Sequence, residues 1–319
     1  MFHYENGLRL TGIGMSIDMT RRQPLGFISH AHADHMAAHE LAFCTPATAK
    51  LYQHRLGQRP VREMPYRIPL EWNGWQLTTF PAGHVLGSAM LLANDGQESL
   101  LYTGDFKLSQ SETAEQADCP HADILVMEST FGDPKYRLPP REQAIGELIG
   151  AVRRSFAVGV TPVIQAYVLG KAQEVTKILT QHGIPVLQHP AIFAISEVYR
   201  ACGCDLGDVR EFTGTVEDGQ ALVMPPPGQK IARPTLSKKI YTIAVTGWAK
   251  DAHAKFRMGV DYAIPLSDHA DYDQLLECVA RVAPRVIYCT HGPASFVTHL
   301  QELGHDARPL AGAYQRRLF

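Results

Sequence analysis

A short cluster of histidines directly after a predicted strand is the feature that most restricts how this chain can fold. Residues 30–35 read HAHADH and follow a strand predicted over Pro24–Ser29. Imidazole nitrogens and carboxylate oxygens are ligands that suit zinc. His30 and His32 are two residues apart, so their side chains are expected to point the same way and to face one ion. Asp34 and His35 are expected to reach a second ion. The alternative is a solvated polar loop without metal.

Two further candidate ligands stand where predicted strands end. His84 closes the segment PAGH, and Asp105 closes the segment YTGD. Alone, a histidine or an aspartate is more often structural than a ligand. Together with the histidine-rich loop, both are predicted to bind metal, and the two carboxylate oxygens of Asp105 suit a bridge between two ions.

Composition indicates a globular chain and argues against a disordered or membrane-spanning one. Hydrophobic residues make up 45% and charged residues 19% of 319 residues, which is typical of a globular chain and not of a disordered one. The net charge is −2, so a nucleic-acid site has to be local. The sequence has no apolar run of about 18 residues, which predicts no membrane span. The first residues do not resemble a signal peptide, so a cytoplasmic location is predicted.

The order of predicted elements indicates an α/β protein of about two domains at roughly 150 residues each. The first third is rich in strands, with predicted hairpin turns at Asn73-Gly74 and Asp95-Gly96. Thr45 followed by Pro46 predicts a helix start. From Ile145 onward, helical periodicity alternates with short apolar strands.

The motifs together resemble those of the metallo-β-lactamase superfamily, with Asp18 at a strand end ahead of the loop. Within it, the chain is similar to the β-CASP nucleases, above all the compact bacterial ligase-associated DNA exonucleases and mRNA 3′-end-processing-factor-like proteins. The motifs that carry this likeness are ILVMESTFG at 124–132, VLGKAQE at 168–174, SDHAD at 267–271 and THG at 290–292. The resemblance implies a four-layered αββα sandwich with an inserted small α/β cassette. The implied boundaries are 1–134 and 246–319 for the sandwich and 135–245 for the cassette.

The resemblance also implies roles for individual residues. One Zn²⁺ would be held by His30, His32 and His84. The other would be held by Asp34, His35 and His291, with Asp105 as the bridge. His269 would act as the general acid, oriented by Glu128, so the implied catalytic residues are Asp34, Glu128 and His269. Mn²⁺ is an alternative to zinc because the ligand types allow both.

Three lysines are candidate substrate contacts, namely Lys171, Lys238 and Lys239. Lys171 begins a predicted helix after Gly170, where backbone amides favour phosphate. Residues 229–257 contain seven basic residues and one acidic residue, Lys238 and Lys239 among the basic ones, so a track for a phosphate backbone is predicted. An ordinary solvated face is an equal alternative. Trp248 and Phe256 interleave this segment, and core packing is the favoured prediction for both.

The resulting hypothesis is a binuclear-metal nuclease that hydrolyses phosphodiester bonds of nucleic acid. It would be a DNA exonuclease in repair or an RNA 3′-end-processing nuclease. One alternative is a small-molecule hydrolase of the same fold, of the glyoxalase II or lactonase type. A second is a non-catalytic scaffold. An oxygen-reducing di-iron enzyme is disfavoured, because that branch has glutamate where His32 stands. The sequence predicts no particular protein partner.

Overall fold

The computed structural model describes residues 1–4, 7–227, 239–251 and 253–310. The chain forms two compact units. The first unit contains residues up to Gln110, the segment Ala114–Arg137 and the chain from His269 onward. The second unit contains Ser111–Thr113 and Leu138–Asp268.

The strands are β1 Phe2–Tyr4, β2 Leu8–Leu10, β3 Met15–Ile17, β4 Leu25–Phe27, β5 Leu41–Cys44, β6 Val61–Glu63, β7 Leu70–Trp72, β8 Trp75–Pro81, β9 Ala89–Asn94, β10 Ser99–Tyr102, β11 Ile124–Glu128, β12 Thr161–Gln165, β13 Val186–Gln188, β14 Val209–Glu211, β15 Ala221–Met224, β16 Ile240–Val245, β17 Tyr262–Ile264, β18 Val286–Thr290 and β19 Ala307–Pro309. The α-helices are α1 Pro46–Leu56, α2 Arg141–Ala157, α3 Lys171–Gln181, α4 Pro190–Ala201, α5 Ala254–Met258, α6 Tyr272–Val282 and α7 Ala294–Glu302.

The first unit is built on two sheets that pack face to face. One sheet has the order β1-β2-β3-β4-β5-β6, and the other has the order β19-β18-β11-β10-β9-β8-β7. Phe27 and Phe43 of the first sheet share a buried cluster with Leu91 and Val126 of the second. Apolar side chains on the inner faces of two sheets form such a core because side chains alternate between the two faces of each strand.

Helices pack on the outer face of the second sheet and against an edge strand of the first sheet. The other face of the second sheet packs against α6 and α7, where Leu101 and Leu125 join Leu275 and Phe296 in a second buried cluster. On the first sheet, α1 contacts β6. The layers therefore follow the predicted αββα order, and this fold prediction is confirmed.

The second unit is an α/β layer with an all-parallel sheet. Its order is β14-β13-β15-β12-β16-β17, and every pairing is parallel. Helix α3 joins β12 to β13, α4 joins β13 to β14, and α5 lies between β16 and β17, as is usual for crossovers in a parallel sheet. The unit extends past the predicted boundary at Val245 as far as Asp268, because β17 pairs with β16 through Val245 and Ile264 and so continues the same sheet.

Local signals placed several elements accurately. The Thr45 side chain accepts the Thr48 N–H and caps α1, as predicted. The Asn73-Gly74 turn has a positive φ at both residues. The Asp95-Gly96 turn differs from the prediction, because only Gly96 has a positive φ and the strands pair through Asn94 and Ser99. No helix in the described part of the chain is long and apolar enough to cross a membrane.

Candidate metal centre

Three imidazoles from two separate loops direct their nitrogens into one space. His30 and His32 follow β4, and His84 follows β8. His30 Nε2 lies 3.0 Å from His32 Nδ1, and His84 Nε2 lies 3.2 Å from the same His32 atom. Burial, together with the neighbouring imidazoles, holds the pKa of His30 well below its usual value. The neutral imidazole that this favours is the form that binds a metal ion.

Asp105 lies among these imidazoles, just after β10. Its Oδ2 atom is 3.3 Å from His35 Nε2, 3.6 Å from His30 Nε2 and 3.9 Å from His84 Nε2. The chain reaches this position through Gly104, which has a φ of 55°. A Cβ on Gly104 would lie 2.7 Å from the side chain of Ser29, so the close approach of the two loops requires glycine there.

Of the groups of donor atoms in the described part of the chain, two consist entirely of predicted metal ligands, and these two overlap. His30, His32, His84 and Asp105 offer atoms that all lie within 4.8 Å of one another, and so do His35, Asp105 and His291. Asp105 belongs to both groups, which is the position the sequence assigned to a bridging ligand.

Asp34 is placed differently from the other predicted ligands. Its Oδ2 atom is 4.0 Å from His35 Nε2, but its side chain is 65% exposed and it belongs to neither group. Its carboxylate therefore stands at the rim of the cluster and not inside it.

Asp18 orients two of these imidazoles from behind. Its carboxylate accepts the Ser29 hydroxyl at 2.5 Å and His35 Nδ1–H at 2.9 Å. His30 Nδ1 lies 2.9 Å from the same Ser29 hydroxyl, so its N–H donates to that oxygen. Both rings then present an unprotonated Nε2 toward Asp105. A carboxylate and two lone pairs facing one another repel unless a cation lies between them, so this donor set fits metal ions.

Without a metal ion, a proton can take that place. Burial lowers the pKa of His35, but the carboxylates of Asp105 and Asp18 outweigh it, and the pKa is raised well above its usual value. Burial would raise the pKa of Asp105, yet His35 and His269 hold it well below its usual range. The carboxylates of Asp105 and Asp18 therefore favour a positive charge, from a proton or a metal ion, beside His35.

Tyr102 is a site residue that the sequence analysis missed. Its hydroxyl donates to Asp18 Oδ2 at 2.8 Å from 84 residues along the chain. Its position could have indicated this role, because Tyr102 ends β10, the strand that leads to the candidate ligand Asp105. Such contacts behind a ligand fix its ring and its tautomer.

Glu128 and His269 form a second pair beside the cluster. His269 Nδ1 lies 3.0 Å from Glu128 Oε1, and this carboxylate is 1% exposed. Glu128 also accepts the Phe106 N–H at 2.9 Å and the Thr130 hydroxyl at 2.5 Å. The His269 ring lies 4.6 Å from the His84 ring. A carboxylate on Nδ1 directs Nε2 away from the pair, as proton transfer by histidine requires.

The predicted role of Lys171 is corrected by its surroundings. Its side chain is 1% exposed, and its ammonium lies 3.1 Å from Glu174 and 3.7 Å from Asp268. The Gly170 N–H donates to the Gln173 side chain. A buried, ion-paired ammonium has no open face for a substrate phosphate.

Only part of the predicted basic track lies among the described residues. Lys238 lies outside the described residues. Lys239 is exposed and precedes β16, whereas Lys250 follows this strand. A strand of six residues separates the two positions by roughly 20 Å at about 3.3 Å per residue. Phe256 is 72% exposed, so its predicted core packing is also corrected.

The sequence is similar to one known domain and to several known proteins. Residues 254–309 match the Zn-dependent metallo-hydrolase RNA specificity domain. The chain is 36% identical over 95% of its length to a probable DNA ligase of Opitutus terrae, covering 30% of that protein. It is 26% identical over 96% of its length to the 5′ exonuclease Apollo of Gallus gallus, covering 68% of that protein. Over half of the chain it is 31% identical to cleavage and polyadenylation specificity factor subunit 3 of Dictyostelium discoideum, covering 20% of it.

The chain is similar to proteins of the metallo-β-lactamase/β-CASP nuclease family. The matched domain description supports zinc as the metal of this protein. The chain spans 30% or less of two of the three relatives named above, so their full activities are not carried over to it.

Proposed function

We propose that this protein is a member of the metallo-β-lactamase/β-CASP family and a metal-dependent nuclease that hydrolyses phosphodiester bonds of nucleic acid. The observation that carries the proposal is the Glu128–His269 pair at 3.0 Å beside the metal cluster. The cluster supplies ligands for ions, and the pair supplies a proton donor. Phosphodiester hydrolysis needs both, because the leaving oxygen is a poor leaving group without a proton.

In this proposal, two ions would occupy the two overlapping donor groups. One would be held by His30, His32, His84 and Asp105. The other would be held by His35, His291 and Asp105, with the exposed carboxylate of Asp34 completing it. Bound there, two ions would make water nucleophilic at neutral pH and stabilise negative charge on the phosphoryl oxygens. Zinc is the first choice, with Mn²⁺ as the alternative.

The proton is assigned to His269. Glu128 accepts Nδ1–H, so Nε2 is the nitrogen that gives its proton to the leaving oxygen. Phe106 N–H and the Thr130 hydroxyl hold the Glu128 carboxylate from its other sides. The carboxylate is thereby fixed as an acceptor, and the imidazole it contacts keeps one orientation. Such general acids contribute about 10²–10⁴-fold to rate.

DNA is favoured as the substrate. A relative that aligns with 95% of the chain is named a probable DNA ligase, and one that aligns with 96% is named a 5′ exonuclease. RNA is the second candidate, because relatives that align with 50% and 44% of the chain are named a cleavage and polyadenylation factor and an endoribonuclease. A cytoplasmic location remains a prediction from the sequence.

The small-molecule alternative is disfavoured by the pair and by the second unit. A thioester or lactone hydrolase of this fold would need the metal cluster but neither Glu128 nor His269 in these positions. A non-catalytic scaffold is disfavoured because a histidine or an aspartate stands at every ligand position that the family resemblance implies.

The test uses end-labelled single-stranded and duplex DNA and RNA, with Zn²⁺ or Mn²⁺ and with chelator. The His269→Ala variant should cut about 10²–10⁴-fold more slowly while its metal content stays unchanged. His54→Ala is the matched control, because His54 is exposed on α1 in the same unit. Turnover of thioesters or lactones without cleavage of any nucleic acid would overturn the proposal.

A further inference from the structure

Two cysteine side chains of the first unit are in contact with each other. Cys119 Sγ lies 4.0 Å from Cys278 Sγ, although the two residues are 159 positions apart. Cys278 is buried within α6, and Cys119 is partly exposed in the segment between β10 and β11. Both pack in the buried cluster that α6 and α7 form with the second sheet. Neither belongs to a donor group of the metal cluster, so the pair is a separate site.

Hydrogen bonds hold the segment that carries Cys119 against the helix that carries Cys278. The carbonyl of Val282, the last residue of α6, accepts the Ala122 N–H at 3.4 Å and the His121 Nδ1–H at 3.3 Å. A disulfide has an S–S distance of about 2.05 Å, so each sulfur would have to move by only about 1 Å to form one. Cys119 lies outside the helices and strands, so a small shift there breaks no regular hydrogen-bond ladder.

The surroundings give the two thiols different reactivity. The hydrogen bond with Cys278 lowers the pKa of Cys119 against the effect of burial, and the Arg281 guanidinium lowers it further. The hydrogen bond with Cys119, together with burial, raises the pKa of Cys278. The thiolate is the form that reacts with oxidants, so Cys119 is the thiol that reacts first. A partly exposed thiol of lowered pKa beside a second thiol is the arrangement of a reversible oxidation site.

We propose that Cys119 and Cys278 are an oxidation site at which hydrogen peroxide forms a disulfide bond. The Cys119 thiolate attacks one peroxide oxygen, the O–O bond breaks, and the released hydroxide takes a proton to become water. The Cys278 sulfur then attacks the sulfur of the Cys119 sulfenic acid, the S–O bond breaks, and the hydroxyl leaves as water with the Cys278 proton. In sum, two thiols and one peroxide give one disulfide and two water molecules.

The bond would close a ring that contains the main segment of the second unit. Leu138–Asp268 lies between Cys119 and Cys278 along the chain. An oxidised chain would therefore keep residues 119–278 as a closed loop when it unfolds, whereas a reduced chain opens completely. In a reducing compartment such bonds are transient, so the pair would respond to oxidant and return to two thiols once the oxidant is removed.

The experiment treats zinc-loaded protein with hydrogen peroxide, alkylates the remaining thiols and maps the tryptic peptides without reductant. Trypsin cuts after lysine and arginine, so Cys119 lies in the peptide 108–135 and Cys278 in the peptide 258–281. We expect these two peptides to be joined, with the mass of two hydrogen atoms missing, and to separate on reduction. On a non-reducing denaturing gel the oxidised chain should run faster than the reduced chain, because its closed loop is more compact.

Two variants and a control locate the bond. Cys278→Ala should give no joined peptides, and Cys119 should then accumulate as sulfenic acid, which dimedone labels, and as sulfinic acid. Cys119→Ala should leave the buried Cys278 as a thiol. Cys289→Ala is the matched control, because Cys289 lies in the same buried cluster, and the joined peptides should form in it as in the parent protein.

Three outcomes would overturn the inference. The first is oxidation of Cys119 to sulfenic or sulfinic acid in the parent protein without joined peptides. The second is a disulfide from Cys119 to another cysteine, such as Cys202 or Cys204 in the peptide 201–210. The third is resistance of Cys119 to peroxide. The inference does not rest on the proposed nuclease function, and each of these outcomes leaves that proposal in place.

Discussion

Replacing Glu128 with glutamine isolates the charge that this residue places on His269. The amide has nearly the same volume as the carboxylate. Its oxygen can still accept the Phe106 N–H, and its nitrogen can donate to the Thr130 hydroxyl once that hydroxyl rotates. The fold and the metal cluster are therefore retained, and His269 keeps at most a neutral acceptor at Nδ1.

The expected loss follows from the difference between two kinds of hydrogen bond. A hydrogen bond to a charged group contributes about 1.5–3 kcal/mol and a neutral one about 0.5–1.5 kcal/mol. The difference of about 1–1.5 kcal/mol predicts that Glu128→Gln lowers kcat by a factor of about 5 to 13. Glu128→Ala removes the acceptor entirely and leaves a buried Phe106 N–H unpaired. It should therefore also lose about 1–3 kcal/mol of unfolding free energy.

The assay is steady-state cleavage of a labelled oligonucleotide, with metal content measured by mass spectrometry and Glu71→Gln as the exposed control. The decisive measurement is a double-mutant cycle. If Glu128 acts through His269, then Glu128→Gln should change the rate of the His269→Ala enzyme by less than about twofold. A full additional loss in that background, or a loss of metal in place of rate, would refute the assignment of Glu128 as a positioning residue.

Three further predictions test the surroundings of the site. Tyr102→Phe removes a hydroxyl behind a metal-orienting carboxylate and should weaken zinc affinity about 10-fold in a competition titration; unchanged affinity would make this contact incidental. Gly292→Ala should lower both stability and metal content, because the new Cβ would lie 2.0 Å from the Ser129 carbonyl oxygen; a thermal melt and metal content like those of the parent protein would contradict this. Cys119 should be the first thiol alkylated near pH 8 in peptide mapping, since a hydrogen bond with a neighbouring thiol lowers its pKa. Burial raises the pKa of Cys289 to about 12, so faster labelling there would reverse the prediction.

Where helices begin and end could be predicted well from neighbouring residues. α3 begins at Lys171 and α1 begins at Pro46 after the Thr45 cap, as the sequence predicts. The turn at Asn73-Gly74 also follows its sequence signal. These features depend on contacts between residues three or four apart, so the sequence contains the whole signal.

The burial of individual charged and aromatic residues could not be predicted in the same way. Lys171 has the sequence of an open helix start, but Glu174 and Asp268 enclose its ammonium. Phe256 has an apolar side chain that was predicted to pack in the core, but this side chain is exposed to solvent. Burial depends on elements that are distant in sequence, and no local pattern encodes them.

By itself, the sequence predicted the kinds of candidate ligand and their order along the chain and, through its resemblance to a known family, the layered class of the fold. Only the tertiary structure decided that Asp105 faces His30 and His35, and that Glu128 meets His269 across 141 residues. The physical reason is that strand ends from different parts of the chain meet only once the two sheets of the first unit have packed together. The residue types are local information, whereas their separations in space are set by that packing.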